Sequence, residues 1–285
     1  MKLTKYKKSA INLLVFCFLI ILLNISLWFS NINVLINRIN STVSKNTLDF
    51  DHIYVINLPS RKDRREMMES LSKYLKLDFD FVDAVPKEDF ETLNEYLSDL
   101  EPQYKACYIS HYRLYGDILK RGYRSSLILE DDVDIELNIT DIMNTYIPYL
   151  PKDWELFYIG QCGQKEHKNP LNNQTSPFKV YKSESPFCTH AYAVSFLGAQ
   201  NLLNLLINIK SPIDLELVHY IKKGKISSFT LEPSAIVQWK SKDNPSDISP
   251  EQNQWTYPLK NSTLHFLGYH EIVWIEALFL RPLRF

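Results

Sequence analysis

Short apolar runs alternating with segments of helical spacing constrain this chain most. "HIYVINL" (His52 to Leu58) is rich in β-branched residues and too short for a helix of ordinary length, so it reads as a buried strand. The following "RKDRREMMESLSKYLKL" places Met67, Met68, Leu71 and Leu75 at helical spacing. That is one β-α unit. "DFDFVDA" (Asp78 to Ala84) alternates like a second strand, and "KACYISHYRLYGDILKRG" (Lys105 to Gly122) reads as a helix ending at glycine. "SSLILEDD", "WELFYIG" (Trp154 to Gly160), "THAYAVS" and "KISSFTLE" continue the strands, and "GAQNLLNLLINI" and "DLELVHYIKK" the helices. A polar loop is expected at about Gln161 to Pro177. The pattern predicts an α/β layer structure without internal repeats. Beyond Gln238 it becomes irregular, with a short helix expected in "HEIVWIEALFL".

"SLILEDDVDIE" (Ser126 to Glu136) runs three apolar residues straight into Glu130, Asp131 and Asp132. Neighbouring carboxylates repel, the more so as the local dielectric falls. In a strand Glu130 and Asp132 share one face and Asp131 takes the other. Ligands of open α/β sheets bind at the C-terminal strand ends, and two carboxylates there suit a hard cation such as Mg²⁺ or Mn²⁺ able to hold a diphosphate. A solvated acidic turn and a structural calcium loop fit the same residues. There are 7 glycines and neither G-x-G-x-x-G nor G-x-x-x-x-G-K-[ST], so no glycine loop cradles a phosphate. A net charge of −1 gives no electrostatic footprint for nucleic acid.

From Ile11 to Phe29 the chain carries no charge over a length that suits a membrane-spanning helix. Lys2, Lys5, Lys7 and Lys8 precede it, which places the tail in the cytoplasm and the rest across the membrane. The expected organisation is a tail (1–10), a transmembrane signal anchor (11–30), a stem (31–49) and one α/β domain (50–285). A cleaved signal peptide is the alternative, although no A-x-A site follows. Asn40, Asn138, Asn173 and Asn261 begin N-x-[ST] sequons, in keeping with a lumen. Cys107, Cys162 and Cys188 allow one bridge there and leave one thiol free, and the lack of C-x-x-C speaks against zinc.

"LILEDDV", with "YVINLPSRKDRREMM", "DAV" (Asp83 to Val85), "ACYISH", "THAYAVSFLGAQNLL" and "PIDLEL" in order, resembles glycosyltransferase family 25, the lipopolysaccharide and collagen-type galactosyltransferase family. The resemblance covers about Ile53 to Gln238. It implies a GT-A type nucleotide-sugar-binding fold with a central mixed sheet. It also implies inverting transfer of a hexose, galactose first, from a UDP-sugar donor to a glycan or glycoprotein, in the Golgi or endoplasmic reticulum. By position Glu130 to Asp132 become a variant of the Asp-x-Asp motif, with Glu130 and Asp132 at a metal, Mn²⁺ before Mg²⁺. Asn57, Arg61, Arg64, Asp83, Ser110, His111, Asp131 and His190 fall among donor-binding positions. For Arg61 a solvated helix face, and for His111 and His190 a packed core role, are equally physical.

Inverting transfer also needs a base to take the acceptor proton. Asp214 is the first choice and Glu216 the second, with Asp214 alternatively serving as the cap of its helix. Two other functions share the acidic cluster: an inactive relative serving as a luminal binding or chaperone module, and a metal-dependent nucleotidyltransferase. Retention of Glu130, Asp132 and Asp214 speaks against the first.

Overall fold

The computed structural model describes residues 46–163, 169–173, 175–239, 246–248 and 259–269. The expected anchor, the tail, most of the stem and "HEIVWIEALFL" lie outside them. Among the described residues no helix is long and apolar enough to cross a membrane. The described residues group into one unit.

The strands are β1 (His52–Asn57), β2 (Asp80–Asp83), β3 (Ser125–Glu130), β4 (Val133–Ile135), β5 (Leu156–Gly160), β6 (Lys179–Lys182), β7 (Ala191–Ser195), β8 (Ser228–Glu232) and β9 (Ile236–Gln238). Seven form one sheet in the order β2-β1-β3-β7-β5-β8-β6, while β4 and β9 make a separate antiparallel pair. The sheet is mixed. β1 is parallel to β2 and β3, β7 is antiparallel to β3 and β5, and β8 is parallel to β5 and antiparallel to β6.

Successive strand side chains point to opposite faces. Ile53, Val55, Leu127 and Leu129 therefore join one core, and Tyr54, Ile56 and Ile128 the other. Both faces are covered, which is why these strands show no polar alternation. Helix α1 (Lys62–Leu75) closes the first face with Met67, Met68 and Leu71. The second is covered by α3 (Pro102–Arg121), α5 (Phe196–Leu205) and α6 (Ile213–Lys222), through residues such as Tyr108, Tyr115, Leu202 and Leu217. Each such side chain, once fully buried, contributes about 1.5–3 kcal/mol. Gly122, at φ 70°, ends α3 and lets the Tyr123 N–H reach the Ile118 carbonyl.

Several elements differ from expectation. α3 starts three residues before Lys105 because Pro102 presets the first helical turn. Between β2 and α3 lies α2 (Phe90–Asn94), capped by Asp89, whose carboxylate accepts the Thr92 N–H. α4 (Ile139–Tyr146) and α7 (Thr263–Phe266) complete the helices, and β6 follows the polar loop.

The topology then gathers the acidic residues. β1 and β3 are parallel, with Ile56 opposite Glu130, so Asn57 and Glu130 lie at one sheet edge. β7 enters antiparallel from that edge, where the Glu130 N–H donates to the His190 carbonyl.

Candidate active site

Strand β3 stops at Glu130, and Asp131 and Asp132 form the turn into β4. They thus do not continue the pleat from which shared faces were expected. The turn nonetheless separates the carboxylates. Asp131 accepts from Asn57 Nδ2 at 2.7 Å and pairs with Arg64 Nη1 at 2.9 Å. Glu130 Oε2 and Asp132 Oδ1 lie 3.4 and 3.5 Å from one atom, Gln238 Nε2, at the end of β9. Arg64 Nη1 also stands 3.7 Å from Asp132. Asp131, Asp132 and Arg64 are buried, which makes this pairing electrostatically strong.

Glu130 is anchored from its other side. Oε1 accepts from Thr189 Oγ1 at 2.9 Å and lies 3.5 Å from His111 Nε2. Burial alone would raise its carboxyl, but hydrogen bonding and charge from His111, with the charge of His190, hold it down to about 2. Burial is the leading cause that raises the carboxyls of Asp131 and Asp214, opposed at Asp131 by Arg64 and Asn57 and at Asp214 by backbone N–H groups.

A cleft of about 330 Å³ opens beside this cluster, lined among others by Arg64, Lys87, Ser110, Glu130, Asp132 and Gln238. Ser110 Oγ accepts from the Val85 N–H at 2.9 Å and donates to the Ala106 carbonyl, fixing the cleft wall. Asp131 and His111 line the same space.

The other expected residues stand further out. Arg61 pairs with Asp63 and with Asp247, and it is Asp247 that lines the cleft. Asp83 is exposed at the end of β2, where Ala84 and Val85 face the cleft instead. His190 is fully buried behind the cluster, its Nε2 3.4 Å from the Ile236 carbonyl.

Asp214 occupies the second position of α6, whose N-cap is Pro212 with no side-chain cap bond. Asp214 is therefore not the cap of its helix, the alternative role weighed for it. Its carboxylate accepts the N–H groups of Cys188, at 3.3 Å, and Leu215. The Asp214 side chain is not part of the cleft lining. Glu216 is buried and turned back to accept from Ser211 Oγ at 3.1 Å. Cys162 and Cys188 form a disulfide, which fixes the start of the segment carrying Thr189 and His190, and Cys107 is free. The proximity of those two sulfurs to His190 thus leaves no thiolates for a metal.

Glu130 Oε2 and Asp132 Oδ1 both approach Gln238 Nε2, and such a pair of carboxylate oxygens has the chemistry that suits a hard cation such as Mg²⁺ or Mn²⁺. The residues fit such an ion. Gln238 and Asp247 carried no sequence signal, because only the β4–β9 pairing and the fold of the later chain bring them to the edge.

Fold and cleft together define a mixed α/β protein with an acidic strand end opening on a ligand-sized space. The chain belongs to glycosyltransferase family 25: residues 50–217 match that family, described as an LPS biosynthesis protein family. It is 30% identical to "Procollagen galactosyltransferase 1-A" of Xenopus laevis over 207 residues, 64% of this chain and 33% of that protein. It is 28% identical over 180 residues to the "Probable inactive glycosyltransferase 25 family member 3" of Bos taurus, covering 55% and 29% respectively. The chain spans about a third of the length of these curated relatives. Among solved structures it is similar to the glycosyltransferase GlyE of Streptococcus pneumoniae, with TM-score 0.39 and 11% identity over 76% of this chain and 59% of that one.

Proposed function

We propose that the chain is an inverting glycosyltransferase that moves a hexose, galactose first, from a UDP-sugar to a hydroxyl of a glycan or glycoprotein. Family membership supports this, as does the galactosyltransferase name of a relative. The observation that carries it is the approach of Glu130 and Asp132 to one atom, Gln238 Nε2, in the wall of a ligand-sized cleft. Glu130 and Asp132 would hold a divalent cation, Mn²⁺ before Mg²⁺, which when bound would supply the charge that stabilises a departing diphosphate. Arg64, buried and held by Asp131, brings a fixed guanidinium to the same wall, suited to phosphate oxygens. Asp214 takes the acceptor hydroxyl's proton as that oxygen attacks from the face opposite the leaving group. Burial raises its carboxyl and makes it a stronger base. Ser110 and His111 shape the wall against which the donor packs.

The same reading makes the chain a single-pass type II membrane protein with its family domain in the Golgi or endoplasmic reticulum lumen. The uncharged Ile11 to Phe29 run supports this, as do the exposed sequon residues Asn138, Asn173 and Asn261.

A second reading, a binding module without turnover, draws on the inactive relative and on Arg64, whose guanidinium neutralises Asp131 and approaches Asp132. Incubating the protein with Mn²⁺ and either a panel of UDP-sugars or nucleoside triphosphates separates the functions. Release of UDP supports the transferase and pyrophosphate a nucleotidyltransferase, and no release from any donor leaves the binding module.

A further inference from the structure

The lack of C-x-x-C argued against zinc, but a scan for cysteine pairs overlooks mixed ligand sets that helix spacing creates. Cys107 and His111 are four residues apart on α3, so they sit one above the other on one helix face. That face meets the end of β3. One ligand atom each from Cys107, His111 and Glu130 lie within 4.8 Å of one another, with His111 Nε2 and Glu130 Oε1 3.5 Å apart. Ligands at zinc distances in a tetrahedral shell stand about 3.3–3.7 Å apart, so only a small contraction closes the set.

The surroundings suit a metal as well. His111 Nδ1 lies 2.9 Å from the Tyr192 hydroxyl, which is 2.7 Å from that of Tyr115. Anchoring one imidazole nitrogen orients the other toward an ion. Glu130 is steadied by Thr189. All three residues line the cleft, which gives an ion its entry and leaves a fourth position open. Burial, and after it the charges of Glu130, Asp214 and Asp132, push the Cys107 thiol up, so an ion binds there by displacing the thiol proton.

We propose that Cys107, His111 and Glu130 form a three-ligand site for Zn²⁺ or another borderline-soft divalent cation, distinct from the all-oxygen pair of Glu130 and Asp132. Thiolate and imidazole select Zn²⁺ over Mg²⁺ and Mn²⁺. Glu130 belongs to both sets, through Oε1 here and Oε2 there, and two divalent charges on one carboxylate repel, so Zn²⁺ competes with the hard cation and inhibits transfer. This last consequence rests on the function proposed above, whereas the binding itself does not.

The test uses the full chain with its disulfide intact and Co²⁺ as the spectroscopic probe. Co²⁺ should give a thiolate-to-metal charge-transfer band that Zn²⁺ abolishes and that is missing in Cys107→Ser. Zn²⁺ should also slow iodoacetamide labelling of Cys107, followed on its own peptide and so apart from Cys17, at least tenfold, while Mg²⁺ leaves the rate unchanged. A band that survives in Cys107→Ser, or labelling indifferent to Zn²⁺, overturns the site. Mn²⁺ binding to Cys107→Ser, read by electron paramagnetic resonance, tests the Glu130–Asp132 pair by itself. Its absence would overturn the competition while the zinc site stood on its own readouts.

Discussion

Glu130 presents its two oxygens to different neighbours, Oε1 to Thr189 and His111 and Oε2 to Gln238. Its carboxyl is held below the ordinary glutamate value of about 4.3, down to about 2. The sign follows from that depression. The stability it contributes is complete above the ordinary value and is lost as pH falls from there toward 2. Glu130→Gln should therefore flatten the acid limb of the stability curve, as urea unfolding between about pH 5 and 2 would show. Asp214 has the opposite sign, since burial raises its carboxyl and its ionised form costs stability at neutral pH. Asn can replace it without that cost. Asp214→Asn should unfold at the same or slightly higher urea concentration, yet lose roughly 10²-fold or more in kcat with donor binding nearly unchanged. Glu216→Gln should keep kcat within a few-fold and cost at most about 1 kcal/mol through the Ser211 bond. A reversed pattern between these two variants would move the base to Glu216.

At the scale of elements, β5 and β9 approach so closely at Gly160 that a Cβ there would lie 2.1 Å from the Ile236 carbonyl oxygen and 2.5 Å from His190 Nε2. One contact is backbone, and the other belongs to a fully buried ring. Gly160→Ala should cost about 1–3 kcal/mol, as overpacking does, and should lower the thermal midpoint. The central strands of the large sheet were legible because burial on both faces leaves an unbroken apolar run, as in "HIYVINL" and "SSLILEDD", whereas the short, partly exposed edge strand β6 was not. β4 and β9, three residues each, were not, since their pairing is a long-range contact without local periodicity. The acidic cluster was legible in position and composition. Its geometry was not, because a turn interrupts the strand at Asp131 and the partners Gln238 and Asp247 come from far along the chain. His190 shows the same limit: its motif is plain in sequence, but only the packing puts the ring behind the cluster.

For the whole molecule, the disulfide closes a segment of 26 residues that brackets the long loop and delivers Thr189 to Glu130. A loop of that length restricts the unfolded chain by about 3 kcal/mol. Reduction should accordingly lower the thermal midpoint by several degrees and weaken donor binding. Expressed in a secretory pathway, the chain should carry glycans on Asn138, Asn173 or Asn261, all exposed, and shift in mass after endoglycosidase. An unglycosylated protein found entirely in the cytosol would contradict the luminal placement. In the proposed reaction the acidic strand end works through a divalent cation on a UDP-sugar. The most direct measurement compares UDP release from UDP-galactose with Mn²⁺ by the wild-type chain and by Asp132→Asn, with circular dichroism confirming both folds. The wild type should turn over and stop on EDTA, and Asp132→Asn should fall by at least 10²-fold while remaining folded. Turnover that survives both EDTA and the substitution would contradict the account.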